Sequence, residues 1–280
     1  MEKTPIALRS LDELTNLARD LRLDVLEMTT RAKSGHPSSC FSAVEILTAL
    51  YFGGILRYRP QEPWWEERDR FILSKGHAAP LLYAVLARTG YFPYDMLWSL
   101  RQLDSPLQGH PVQGFLPGVE ATTGSLGQGL SVGLGHALAG KMRRLFYRVY
   151  VLLGDGECQE GQVWEAAMAA SHFKAGNLTA IVDYNKFQET GPIAREMNLE
   201  PFRAKWEGFG WFVEEVDGHD IESLLEKLGR LRMVQDRPSV LIAHTVKGKG
   251  VSFVENDYTF HGRALTEDQA KLARRELQCE

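Results

Sequence analysis

The sequence predicts an α/β fold, a doubly wound, mostly parallel sheet with helices on both faces. Two observations carry that expectation. The apolar runs Val149-Tyr150-Val151-Leu152-Leu153 and Ala180-Ile181-Val182 have the length and β-branched content of strands buried on both sides. Between them, Gly161 to Lys174 is rich in good helix formers, with Gly176 expected as its C-cap. A strand, helix, strand unit joins parallel strands, so both strands end at one edge of the sheet, and ligands of open α/β sheets bind beyond that edge. With 280 residues, 44% of them hydrophobic, and a net charge of −4, the chain can bury a large core. One α/β domain over residues 1–280 is expected, with 1–9 as an N-terminal extension and 264–280 as a terminal helix.

In chain order, Ser10 and Glu13 form a capping box that opens a helix whose Leu14, Leu17, Leu21, Val25 and Met28 share one face. The loop Lys33 to Ser39 places His36 between Gly35 and Pro37. A helix is expected from about Ala43 to Tyr51, then a connection rich in Pro and Trp. Asp69 to Leu73 reads as a strand running into Ser74-Lys75-Gly76-His77, with a helix from Ala79 to Arg88 behind it, and a strand-to-helix junction is where anions bind. Pro93 to Leu103 is expected to be helical with Pro93 in its first turn. Gln108-Gly109-His110-Pro111 repeats the histidine-before-proline arrangement in a loop. Thr122 to Gly129 leads into a helix carrying Leu130, Leu134 and Leu138, whose small residues allow close packing. Trp211 to Val216 and Ser239 to Thr245 read as strands, with Asp220 capping the helix between them to about Gln235. Thr266 and Gln269 form a capping box for the last helix. The lysines of Val246-Lys247-Gly248-Lys249-Gly250 either neutralise phosphate or are solvated, and the solvated reading is preferred.

Several function classes are excluded on composition. The near-neutral balance without a basic stripe argues against nucleic acid. Cys40, Cys158 and Cys279 are widely spaced and odd in number, which suits reduced thiols and a cytoplasmic location. No signal peptide is visible, and the long uncharged segment Ala121 to Gly140 contains six glycines, which argue against a membrane span. Gly133 to Leu138 lacks the third glycine of a dinucleotide fingerprint, and Gly135 to Met142 has P-loop spacing but ends in Met142 where Mg²⁺ requires Ser or Thr.

The chemistry concentrates where the two central strands end, at Gly154-Asp155-Gly156 and at Asp183-Tyr184-Asn185-Lys186. Asp155 and Asn185 are expected to meet there. A carboxylate and an amide oxygen are hard donors suited to Mg²⁺, whose remaining octahedral positions are commonly taken by phosphate oxygens. Glycines beside Asp155 let backbone approach an anion closely. An isolated Gly-Asp-Gly is usually only a turn. The pairing with an asparagine about thirty residues later, each after an apolar strand, favours a metal-diphosphate site over a turn.

This pairing resembles the thiamine diphosphate motif of the transketolase and pyruvate dehydrogenase group. The succession Ser34-Gly35-His36-Pro37, Ser74-Lys75-Gly76-His77, Gly109-His110-Pro111, Pro117 to Glu120 with Thr122 to Gly129, Gly154-Asp155-Gly156 and His261-Gly262 is similar to the N-terminal domain of transketolase, over nearly the whole chain and in the family's order. The resemblance implies a thiamine diphosphate-binding fold of the diphosphate-binding type. It implies Asp155, Asn185 and the Phe187 carbonyl as ligands of Mg²⁺ or Ca²⁺. His77, Gly156, Glu157, Asn185 and His261 would contact the cofactor, and Gly124, Ser125 and Leu126 would line it near the aminopyrimidine. His36, His110 and His261 would face the sugar as hydrogen-bond donors and proton carriers, a role suited to groups that titrate near neutrality. Glu160 resembles the family's subunit-interface glutamate, with Glu165 beside it.

A complete transketolase is about twice as long and supplies, from later domains, the glutamate that activates the aminopyrimidine and most groups for the sugar phosphate. The expectation is therefore the N-terminal subunit of a split transketolase that moves a two-carbon ketol unit between sugar phosphates, completed by a C-terminal subunit as an α₂β₂ assembly. Two alternatives stay open: a related two-subunit enzyme acting on another ketose, and a noncatalytic regulatory relative.

Overall fold

Alternation along each buried strand sends successive side chains to opposite faces, and here both faces are apolar, so helices must cover both. The computed structural model describes residues 9–279. Its elements run α1 (Leu11–Ala32), α2 (Pro37–Phe41), α3 (Val44–Phe52), β1 (Arg70–Leu73), α4 (Ala79–Arg88), α5 (Gln128–Arg143), β2 (Val149–Gly154), α6 (Gly161–His172), β3 (Leu178–Tyr184), β4 (Phe187–Gln188), β5 (Gly191–Pro192), α7 (Ile193–Glu196), α8 (Phe202–Gly208), β6 (Phe212–Asp217), α9 (Ile221–Met233), β7 (Ser239–His244) and α10 (Glu267–Cys279). Five strands make one parallel sheet in the order β1-β2-β3-β7-β6, while β4 and β5 form a small antiparallel pair beyond the end of β3. The doubly wound α/β architecture is as expected.

Two buried clusters fill the two sides. Tyr150, Leu152, Ile181 and Leu241 pack with α1, α3, α4, α9 and α10 on one face. Val149, Val151, Leu153, Ala180 and Val182 pack with α5, α6 and α8 on the other. Helix α5 lies close to the sheet because it is glycine-rich: a Cβ on Gly129 would come within 2.3 Å of Ser74 Oγ, and one on Gly133 within 2.4 Å of Val151 Cγ2. The P-loop-like and dinucleotide-like spacings lie inside this helix, away from any strand-to-helix turn. Ser10 and Glu13 do form a capping box, with Ser10 N–H donating to Glu13 Oε2 at 2.7 Å and Glu13 N–H to Ser10 Oγ at 3.2 Å. Thr266 and Gln269 make the same reciprocal pair ahead of α10.

Three local expectations are corrected. The segment from Pro93 is only a 3₁₀ stretch, Tyr94–Ser99, because Pro93 and Leu100 are extended and Arg101 is left-handed, and within the stretch only Leu97 is buried, too little to hold a longer helix. Helix α6 is closed by Lys174 in the left-handed region (φ 50) and not by Gly176. Gly176 serves close approach instead, since a Cβ there would sit 2.0 Å from Gln235 O. The loop expected at Lys33 to Ser39 tightens into α2, with His36 at its N-cap position and Pro37 as first residue. Residues 1–8 of the expected N-terminal extension, and Glu280, lie outside the described residues. Among the described residues no helix is long and apolar enough to cross a membrane.

Candidate functional site

The strands β1, β2, β3 and β7 all end at one edge, and the residue that follows each is the source of the site. Ser74-Lys75-Gly76-His77 leaves β1, Asp155 leaves β2, Asn185 leaves β3 and Lys247 lies three residues beyond β7. Asp155, Asn185, Phe187, Gly156 and Leu126 line a single cavity of about 250 Å³, together with His77, His261, Lys75, Lys247 and Ser39. Asp155 and Asn185 thus meet at the carboxyl edge of the sheet.

Asp155 is 1% exposed. Its oxygens accept the backbone N–H groups of Gly156, at 2.8 Å, and Lys186. Among the described residues no cation forms an ion pair with it. Burial, reinforced by the neighbouring Asp183 carboxylate, pushes Asp155 up to about 7. Asn185 Oδ1 accepts the Phe187 N–H at 3.1 Å, and its amide donates to Asp183 at 3.3 Å.

Two fully buried lysines enter the same space. Lys75 pairs with Asp183 and donates to Ser39 O at 2.9 Å, and Asp183 also accepts from Ser42 at 2.6 Å and from Thr245. Burial opposes ionisation of Asp183, but Lys75 and these hydrogen bonds outweigh it and hold the carboxylate low. Lys247 is different, having no carboxylate partner among the described residues. Its Nζ lies 3.1 Å from Ser39 Oγ and 3.0 Å from His261 Nδ1, and burial with Lys75 nearby lowers it to about 8. The expectation of a solvated Lys247 is therefore corrected: it is 0% exposed, because the loop that carries it folds back onto Ser38, while Lys249 remains partly exposed.

Above the lysines, His36, His77 and His261 form a triangle with ring centroids 5.2 to 5.5 Å apart. Burial first, then the surrounding cations, depresses all three, His36 to about 4 and His261 to about 2. His36 Nδ1 is buried without a hydrogen-bond partner among the described residues. His110 is exposed and held against Gly124, where a Cβ would lie 3.1 Å from its ring. Arg101 joins the two histidine loops by donating to Ser34 Oγ at 2.9 Å and Gly109 O at 3.4 Å. The site accordingly continues from the cavity through Gly124 to His110.

The remaining expected residues fall into two groups. Glu157 is buried with both oxygens engaged by the chain, accepting from Ser74 Oγ, from Gly127 N–H at 2.9 Å and from Gly154 N–H at 3.0 Å, so that it ties three site loops together. Ser125, Glu160 and Glu165 are exposed, the second at the cavity rim. Sequence reasoning missed Ser39, Lys75 and Asp183 as site residues, and for Lys247 it preferred solvation over phosphate neutralisation. The signal available was charge where a buried strand should be apolar: Asp183 ends the run Ala180-Ile181-Val182, and Lys75 follows Phe71-Ile72-Leu73.

A larger groove, about 900 Å³, lies at the opposite edge among Arg57, Lys141, Arg144, Arg148 and Arg232. Two of its cations complete helix ends: Lys141 donates to Phe173 O and Lys174 O at 3.0 and 2.8 Å, and Arg148 to Leu231 O and Arg232 O at 3.2 and 3.1 Å. Parallel sheets gather helix C-termini at that edge, where basic side chains complement them. Size therefore does not locate the chemistry.

The donor set at the carboxyl edge fits a cation-bound diphosphate. Among the described residues no three His, Cys, Asp or Glu side chains are grouped to hold a metal. Two oxygen-bearing side chains beside buried ammonium groups suit Mg²⁺ that takes its other ligands from phosphate.

Comparisons with known proteins agree with this geometry. Residues 12–280 match the family model described as the thiamine diphosphate-binding domain of transketolase. The chain is 43% identical to a transketolase of Pongo abelii over 272 residues, which is 96% of this chain and 42% of that protein. It is 42% identical to the 6-deoxy-6-sulfo-D-fructose transketolase subunit SqwG of Clostridium sp. (strain MSTE9), over 96% of this chain and 97% of that subunit. A transketolase structure from Campylobacter jejuni superposes with a TM-score of 0.92 at 33% identity, over 96% of this chain and 43% of that one. The chain spans less than half the length of the first curated relatives it matches. It belongs to the transketolase family, within that family's thiamine diphosphate-binding domain.

Proposed function

We propose that this chain is the N-terminal subunit of a split transketolase, a cytoplasmic enzyme moving a two-carbon ketol unit from a ketose phosphate to an aldose phosphate. The observation that carries the reading is the convergence on one cavity of Asp155 and Asn185, two buried lysines and two histidines of the triangle, His77 and His261. Asp155, Asn185 and the Phe187 carbonyl would hold Mg²⁺ or Ca²⁺ against the diphosphate of thiamine diphosphate. Lys247, His77, His261 and the Gly156 backbone would bind its phosphate oxygens, and Gly124 to Leu126 would border its ring end. When bound, that cofactor supplies the electron sink for carbon–carbon cleavage.

The chain's own contribution is positioning and proton handling. His36 and His261 are depressed far enough to be neutral at pH 7, and because His261 Nδ1 accepts from Lys247, its Nε2–H is left as the donor to a sugar hydroxyl. His110, nearer solvent and beside Arg101, is placed to carry protons at the mouth. Exposed Glu160, at the rim, and exposed Glu165 are offered to a second chain. A C-terminal partner is supported by the match along 97% of a protein named as a transketolase subunit, and the proposed stoichiometry of the pair is α₂β₂.

A second reading has a specific support. That same relative is named for a sulfonated ketose, so the donor could be a ketose other than those of transketolases at large. The deciding experiment is two-carbon transfer from xylulose 5-phosphate to ribose 5-phosphate with thiamine diphosphate and Mg²⁺, for this chain alone and with a candidate C-terminal subunit. Activity only in the mixture supports the proposal. Transfer only from a different ketose supports the second reading, and loss of all cofactor binding would overturn both.

A further inference from the structure

The motif Asp217-Gly218-His219-Asp220 leaves β6 at the edge that carries the site, yet the proposed chemistry does not use its histidine. Its local surroundings account for only part of it: Asp217 accepts the His219 backbone N–H at 2.9 Å, and Asp220 caps α9. The imidazole points elsewhere. Its Nε2 accepts the Val246 N–H at 2.8 Å, and its Nδ1 lies 2.9 Å from Glu45 Oε2. Because Nε2 accepts, the ring proton sits on Nδ1 and is donated to Glu45.

Glu45 is gripped in turn by Arg22 through two N–H groups at 2.7 and 2.9 Å. Arg22 also donates to Lys249 O at 3.1 Å and to Phe41 O at 3.3 Å. These side chains are 4% (Arg22), 9% (Glu45) and 14% (His219) exposed, so water does not replace the contacts easily. One network anchored on α1 and α3 therefore holds the loop after β7 at two points, the Val246 amide and the Lys249 carbonyl, one on each side of Lys247. Between them Gly248, left-handed at φ 78, donates to Ser38 O at 3.0 Å.

The strap has something to oppose. Lys247 is a buried ammonium beside a second buried lysine, and among the described residues its hydrogen bonds go only to Ser39 and His261. A buried cation without a counter-ion is driven toward water, and a loose loop would let it go. We propose that His219 is a positioning residue which, through Glu45 and Arg22, fixes the loop so that the Lys247 ammonium stays presented to the diphosphate cavity. The inference rests on reading that cavity as a diphosphate site.

The test is a double-mutant cycle on the full chain, titrating thiamine diphosphate with Mg²⁺ calorimetrically for wild type, His219→Ala, Lys247→Met and the double variant. His219→Ala is expected to weaken binding about tenfold, and to have no further effect in the Lys247→Met background. His219→Gln, whose amide oxygen can again accept the Val246 N–H, is expected to restore most of the affinity, which a general loss of packing would not allow. A His219→Ala loss of the same size in both backgrounds, or none in either, would overturn the proposal. If Lys247→Met binds like wild type, the diphosphate reading of Lys247 fails first and the proposal with it. Amide exchange on the wild-type chain gives a check free of folding defects: the Val246 amide is expected to be strongly protected, and rapid exchange there would sink the strap.

Discussion

Replacing Lys247 by methionine should make the free protein more stable and the cofactor-bound protein weaker. In the free protein the ammonium is 0% exposed and lowered from 10.5 to about 8, by burial first and then by Lys75. That gap corresponds to about 3 kcal/mol of disfavour for the charged form. The folded-state value lies below the unfolded one, so the stability is present above about 10.5 and is lost as pH falls through about 8. At pH 7 the free chain therefore carries the full penalty. Methionine keeps the length and removes the charge, but gives up contacts to Ser39 Oγ at 3.1 Å and His261 Nδ1 at 3.0 Å, each worth about 1 kcal/mol. The net gain is about 1 kcal/mol, or roughly 2–4 °C in melting temperature for a chain this size. A lost charge-assisted contact to phosphate removes about 2 kcal/mol of binding, near thirtyfold in Kd. The assay is thermal melting at pH 7 with and without thiamine diphosphate and Mg²⁺, backed by calorimetric titration. A variant that melts lower than wild type without ligand, and shows the same ligand-induced shift, would refute the reasoning.

Other expectations follow from the same geometry. Asp155 is raised in the folded chain, so its contribution to stability is fully present below its unfolded value near 3.8 and is lost as pH rises through about 7. Asp155→Asn should flatten melting temperature against pH across that window in the cofactor-free chain, and should abolish the Mg²⁺ dependence of thiamine diphosphate binding, measured with and without chelator. His110→Ala should lower donor turnover in the reconstituted enzyme by about 10²-fold while the cofactor Kd stays at the wild-type value, because His110 lies outside the diphosphate cavity. Equal losses in both would place it on the cofactor instead. Gly133→Ala drives a methyl to 2.4 Å from Val151 Cγ2 and should lose about 1–3 kcal/mol, whereas Gly135→Ala points into open space and should gain about 0.5–1 kcal/mol. Melting both variants decides the pair, and a reversed order would mean that α5 does not seat on the sheet through Gly133.

Some of this molecule is legible from residues alone. Strands β2 and β3 are continuous apolar runs because both faces of a parallel sheet are covered, and the capping boxes at Ser10 and Thr266 act within one turn of chain. Asp155 and Asn185 could be placed at one edge because a right-handed crossover leaves little choice of where parallel strands end. Local information fails where the deciding contact is remote. Pro93 to Leu103 carries helix-compatible residues, but the stretch buries only Leu97 and stays 3₁₀. Lys247, between Val246 and Gly248 in a glycine-rich loop, looks solvated at every local scale.

Sequence by itself determined the α/β layering and the polar groups at the strand ends, since both follow from the period of hydrophobicity and the chirality of the crossover. Tertiary structure alone decided that Lys247 is buried against Ser39, that His36, His77 and His261 share one triangle, and that His219 reaches Glu45 across 174 positions. Those pairings join residues far apart along the chain. Only the packed fold lowers the dielectric around them enough for charge and hydrogen bonding to set which groups the site presents.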